Sequence, residues 1–148
     1  MSTSLFMISM EAIRDAIKTL SLTGLEDNEV KVRRLPHDGE QYYQGITVHP
    51  VKEIFGQGSN LLEEVGYGCA VTMVENNNNN SDYKLDQILL WREAIRRYFV
   101  ENTTLSGVSE TCTIKVETGH VIDWDELFDK NIDVSRLVIR VRTLETRT

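Results

Sequence analysis

The chain has 148 residues, 41% of them hydrophobic and 26% charged, with a net charge of −7. That mix suits one globular domain over 1–148 with a real core, and it argues against a disordered chain. The acidic balance argues against a general nucleic-acid binder, which needs a dense basic surface to displace counterions from phosphates; it leaves room for a protein that lets DNA pass without gripping it.

Phe6, Met10, Ile13, Ile17 and Leu20 recur at steps of four and three and predict an amphipathic helix, with Ser4 or Ser9 as its cap and Gly24 beyond its end. Val30 and Val32 alternate with Lys31 and Arg33, which is the pattern of a half-buried strand. Pro36, Asp38 and Gly39 break it, and a polar loop carrying Tyr42 and Tyr43 follows. A short strand is expected from Gly45 to His49, closed by Pro50. Residues 50–65, with Gly56 and Gly58 inside them, read as a long irregular loop, and loops of that length in a compact domain are often functional.

Tyr67 to Val74 is apolar or small at nearly every position, so it predicts a central strand covered on both faces. The asparagine run Asn76–Asn80 reads as a solvated connection. Ser81 or Asp82 then caps the longest helix, striped by Leu85, Ile88, Leu89, Ile95 and Phe99 and widened by Trp91 and Tyr98, ending near Asn102. Arg92, Arg96 and Arg97 are placed in its later turns, toward the negative end of the helix dipole. Ser109 to Glu117 alternates, with Cys112, Ile114 and Val116 inward. Residues 121–130 predict a short helical turn or irregular segment. A last strand is expected from about Ser135 to Leu144, with Leu137, Ile139 and Val141 inward and Arg140 and Arg142 outward. The expected fold is therefore α+β: a mixed, mainly antiparallel sheet of about five strands with two helices packed on one face, in the order α-β-β-β-α-β-β.

No stretch approaches the ~20 apolar residues that span a bilayer, and Met1 to Met7 carries neither a basic n-region nor a small-residue cleavage site. Cys69 and Cys112 lie far apart in apolar contexts, which fits a reducing cytoplasm better than a disulfide framework. The sequons at Asn79 and Asn102 are then chance matches.

The motifs that would carry chemistry fail on spacing. Gly56-Gln57-Gly58 lacks the third glycine and the strand-to-helix setting of a dinucleotide site, and no glycine precedes the Lys-Ser or Lys-Thr of a P-loop. His37, His49 and His120 lie apart, without the close ligand pairs of a metal site. His37 with Asp38, or His120 with Asp123, could pair as base and orienter, but no serine or cysteine sits on a nucleophile turn beside them. Asp123, Asp125, Glu126 and Asp129 miss the calcium-loop pattern, and a solvated acidic turn is the simpler account. No catalytic residue, cofactor or metal is assigned.

What remains is contact chemistry. Lys31, Arg33 and Arg34, and separately Arg136, Arg140 and Arg142, put cations on the outward faces of two strands. They form either a charged face that blocks edge pairing or a subunit interface. Tyr42, Tyr43, Phe55 and Trp124 are aromatic residues in segments without regular structure, either anchors on their own domain or contacts for a partner.

Three stretches then combine. Gly45-Ile46-Thr47-Val48-His49-Pro50 is followed, after the loop, by Glu63-Glu64-Val65-Gly66-Tyr67-Gly68. Trp91-Arg92-Glu93-Ala94-Ile95-Arg96-Arg97-Tyr98-Phe99 fills the long helix, and Asp133-Val134-Ser135-Arg136-Leu137-Val138 opens the last strand. In this order the chain resembles the small neck and tail-completion proteins of tailed bacteriophages, of the tail terminator type. The resemblance covers most of the chain as element order; the family has no invariant signature. It implies a structural virion protein that is not an enzyme, assembled in the bacterial host cytoplasm as a homo-oligomeric ring, commonly of six subunits. Such a ring ends the tail tube and joins it to the head connector, with connector and tail-tube proteins as partners and DNA passing through its centre. Loops 35–44 and 50–65 would be its arms, and the acidic balance would suit a lumen that repels DNA. Three alternatives stay open: a head-completion or connector adaptor of the same neck, a small intracellular enzyme using a His–carboxylate pair, and a cytoplasmic regulatory binding domain, monomeric or dimeric.

Overall fold

The computed structural model describes residues 3–38, 41–57, 62–76, 82–105, 108, 112–123 and 132–146, with backbone alone at 57, 62, 76, 82–84, 112 and 146. Helix α1 (Leu5–Thr19) starts where Ser4 turns its hydroxyl to accept from the Met7 amide at 3.1 Å. That satisfies one of the four amides a helix start leaves open. Met10, Ile13 and Ile17 bury the predicted stripe. The helix stops at Leu20, and Ser21, not Gly24, takes the left-handed conformation that ends it (φ 49°), donating to the Lys18 carbonyl.

Among the described residues seven strands follow, in two sheets. Strands β1 (Val30–Val32), β4 (Gly45–Gln57), β5 (Leu62–Asn76), β6 (Cys112–Thr118) and β7 (Ile132–Thr146) form the main sheet in the order β1-β4-β5-β7-β6. Among the described pairs of this sheet, only β1 and β4 run parallel. Strands β2 (His37–Asp38) and β3 (Gln41–Tyr42) make a small hairpin of their own inside the predicted loop 35–44. The predicted class holds: a mixed, mostly antiparallel five-stranded sheet with two helices, in roughly the expected order, with the two hairpin strands added between β1 and β4. As predicted, the strand around Tyr67–Val74 lies at the centre, with neighbours on both sides.

The expected loop at 50–65 is a correction. Its described residues continue β4 and β5, which pair as far as Gln57 with Glu63 and make a long hairpin arm. Pro50 reads as a strand stop because it has no amide hydrogen to give the ladder. Here β1 has already ended opposite Val48, so Pro50 lies on an edge, and the register shifts between Pro50 and Lys52. That bulge also inverts the alternation, which hides the strand from a period-two reading. Gly68 makes room for it: a methyl there would stand 3.2 Å from the Lys52 carbonyl oxygen.

Helix α2 (Asp82–Glu101) packs beside α1 on the same sheet face. Ile88, Trp91, Ile95 and Phe99 meet Val71, Met73, Leu137 and Ile139 in one core, and fully burying a side chain such as Phe99 contributes about 3 kcal/mol. The asparagine run from 77 to 80 and the acidic residues 125, 126 and 129 lie outside the described residues. No helix among the described residues is long and apolar enough to cross a membrane.

Arg92 departs from its predicted role. The last turn of α2 holds no basic residue. Arg92 is buried and turns toward the sheet, where one guanidinium nitrogen donates to the His120 carbonyl (3.1 Å), the Ser135 hydroxyl (3.0 Å) and the Arg136 carbonyl (2.6 Å). Burial, then the nearby charge of Arg96, lowers its pKa. Arg96 and Arg97 remain exposed, and Arg97 pairs with Glu93 one turn back.

Candidate functional site

Because side chains alternate along a strand, the sheet has a second face that neither helix covers. Thr47 and His49 of β4, Ala70 and Thr72 of β5, Arg136, Arg140 and Arg142 of β7, and Thr113, Lys115 and Glu117 of β6 share it. Three regions follow one another across this face.

At one end the β2–β3 hairpin folds over it. Tyr42 packs on Val74, Ile132 and Val134, and His37 meets the Tyr42 ring at 5.3 Å between centroids. The Arg33 guanidinium lies 3.7 Å from the centre of the Tyr43 ring, a cation–π contact. Arg33, Tyr42 and Tyr43 are thus held together by contacts within the chain, while Lys31 and Arg34 stand exposed beside them.

In the middle, Thr72 joins two strands. Its hydroxyl accepts from Arg136 Nε at 3.2 Å and lies 2.9 Å from His49 Nε2. The hydroxyl keeps its own proton to give, and a neutral His49 that carries its proton on Nδ1 accepts it at Nε2. Burial first, then the charge of Arg136, pulls the His49 pKa down to about 4 against a backbone hydrogen bond at Pro50 that raises it. This histidine is a structural link, unsuited to take protons near neutrality.

Toward the arm, Ile54, Gly66, Lys115, Arg140 and Arg142 line a shallow cleft of about 270 Å³. Arg140 pairs with Glu117 at 2.6 Å and Arg142 with Glu64 at 2.7 Å. These partly exposed pairs contribute roughly 0–1 kcal/mol each and order the side chains more than they stabilise the fold. Arg140 and Arg142 therefore stand side by side along β7, and the structure sets them apart from Lys31, Arg33 and Arg34 on β1 and just beyond it.

The arm itself carries exposed apolar side chains. Phe55 is 64% exposed although it lies on the helix side of the sheet, opposite Val65. Val51 and Ile54 beside it are also exposed. Helix α1 does not reach over Phe55: its first turn ends on Tyr67, whose ring the Phe6 ring meets at 4.9 Å. Trp124, the fourth aromatic residue singled out by sequence, lies outside the described residues.

A groove of about 500 Å³ opens where the end of α1 meets α2, lined by Leu20, Leu22, Leu90, Trp91 and Ala94, with Asp86 and Gln87 also on its wall. Leu90 is 57% exposed. Sequence reasoning passed over this residue, although a leucine off the predicted stripe of α2 was the available signal. It also passed over the Thr72 link and the inward turn of Arg92, for which composition and spacing give no cue.

The remaining candidates for chemistry are dispersed. His120 is exposed, and its backbone carbonyl serves Arg92. His37 and Asp38 are successive residues of β2, so their side chains leave opposite faces. Gly56 is a strand residue opposite Glu64. Cys69 is a buried free thiol, and burial pushes its pKa up to about 12. Among the described residues no group of three or more His, Cys, Asp or Glu side chains is placed to hold a metal ion. Neither a protein-family model nor a curated protein matches the chain.

Proposed function

We propose that the chain is a structural subunit of the neck of a tailed bacteriophage, forming a homo-oligomeric ring, six-membered in the simplest case, that ends the tail tube and joins it to the head connector while DNA passes through. The observation that carries this reading is the β4–β5 arm, which extends the sheet beyond the helix layer and exposes Phe55. A monomer gains nothing by holding a large aromatic side chain in water on a rigid strand, whereas a ring subunit needs such a contact. The element order and the three stretches that resemble tail-completion proteins supply the particular setting. The helix-free face gathers Lys31, Lys52, Lys115, Arg136, Arg140 and Arg142 against Glu64 and Glu117 in a chain of net charge −7. The acidic excess therefore lies elsewhere, and it is that side we assign to the DNA channel.

The test is electron microscopy of the purified protein, alone and added to tail tubes built from the tube protein of the phage that encodes it. Closed rings, and rings seated on one end of each tube, are expected. A protein that neither forms rings nor decorates tube ends refutes the reading.

A further inference from the structure

We propose that copies of this chain join head to tail by seating the Phe55 arm of one copy in the groove between α1 and α2 of the next. This deepens the ring reading above and rests on it. The knob is an aromatic ring 64% exposed on β4, the outer strand of the arm, with Val51 exposed four residues before it. The hole is an apolar groove of about 500 Å³ with Leu90 on its wall and Leu20, Leu22 and Ala94 around it. It is already formed: Trp91 Nε1 donates to the Thr23 carbonyl at 2.8 Å, which ties the segment after α1 to α2. A preformed groove and a strand-held aromatic side chain lose little freedom on docking, which favours affinity.

The two features cannot meet within one copy. Helix α1 begins beside Tyr67, which is paired with Glu53 in the arm, and it ends at Leu20 in the groove. Its 15 residues separate them by about 22 Å at 1.5 Å per residue. A knob at one end and a hole at the other form a heterologous contact, which each added copy repeats until the rotation closes a ring.

Phe55→Glu and Leu90→Glu test the contact by sedimentation velocity over a wide concentration range, with circular dichroism to check the fold. Both positions face water in the single copy, so both variants should fold. The wild-type chain is expected to self-associate, and each variant alone to associate at least about 100-fold more weakly. Mixed, the two should form a one-to-one heterodimer that grows no further, because the Leu90→Glu copy keeps its arm and the Phe55→Glu copy keeps its groove. A monomeric wild-type chain, a mixture that stays monomeric, or a variant that associates like the wild type overturns the proposal. Open filaments together with the heterodimer would keep the arm-and-groove contact and sink the neck ring. Closed rings that survive Phe55→Glu would keep the ring and sink this contact.

Discussion

Lowering the pH should strip the protein of about 3 kcal/mol through a single side chain, His49. In the folded chain its imidazole is buried and lies within hydrogen-bond distance of the Thr72 hydroxyl, which also accepts from Arg136. Burial penalises the protonated ring most and the Arg136 charge adds to it, so the folded pKa falls to about 4 from an ordinary 6.5. The unfolded chain takes up its proton near pH 6.5 while the folded chain resists until about 4. Between those values the unfolded state binds more protons, and stability drops as pH drops, flattening below pH 4. At about 1.4 kcal/mol per pKa unit the loss is about 3 kcal/mol, a large share of the 5–15 kcal/mol typical of a domain. Urea unfolding at pH 7.5, 5.5 and 4.0, on the wild type and on His49→Gln, isolates the effect. Glutamine keeps an acceptor for Thr72 and does not titrate, so carboxylate contributions cancel in the difference. That difference should change by about 3 kcal/mol across the range. Parallel stability curves for the two proteins would refute the assignment of a neutral, Thr72-bonded imidazole.

Arg92→Ala should cost about 2–4 kcal/mol in urea unfolding, since three acceptors on two segments lose their shared donor, while exposed Arg96→Ala should stay within about 0.5 kcal/mol. Equal effects would mean that the guanidinium does not bridge α2 to β7. Gly45→Ala should cost about 3 kcal/mol and lower Tm by about 10 °C, because Gly45 has φ +100° and a methyl there would come within 2.5 Å of the Glu29 carbonyl oxygen. A thermal melt unchanged by this substitution would show that β1 and β4 do not meet as closely as described.

Most of the fold was legible because burial writes a period into the chain. The steps from Met10 to Ile13 to Ile17 gave α1, and the nearly unbroken apolar run after Tyr67 gave the central strand. The alternation of Ile114 and Val116 with Thr113 and Lys115 gave β6 in the same way. The arm escaped because a proline and a bulge erased the alternation where no buried neighbour enforced it. Gly24 drew the helix stop away from Ser21, since glycine is the commoner left-handed residue although serine adopts that conformation here. The proposed interaction surfaces were half legible. Phe55 stood out as an aromatic residue in an odd place, and the outward cations of the last strand were placed correctly. The groove was not, because it exists only once the segment after α1 lies against α2.

The length of β5 has a mechanical consequence. It runs unbroken for 15 residues, about 50 Å at 3.3 Å each, from the arm to the end of the sheet that Tyr42 covers, bonded to β4 on one side and β7 on the other. A tug along the arm loads this strand lengthwise. Two long ladders must then slip in shear together, because no exposed end lets the bonds unzip one at a time. The arm is in effect a tie rod anchored through the whole body, and force on its tip is shared across the sheet before any one bond yields.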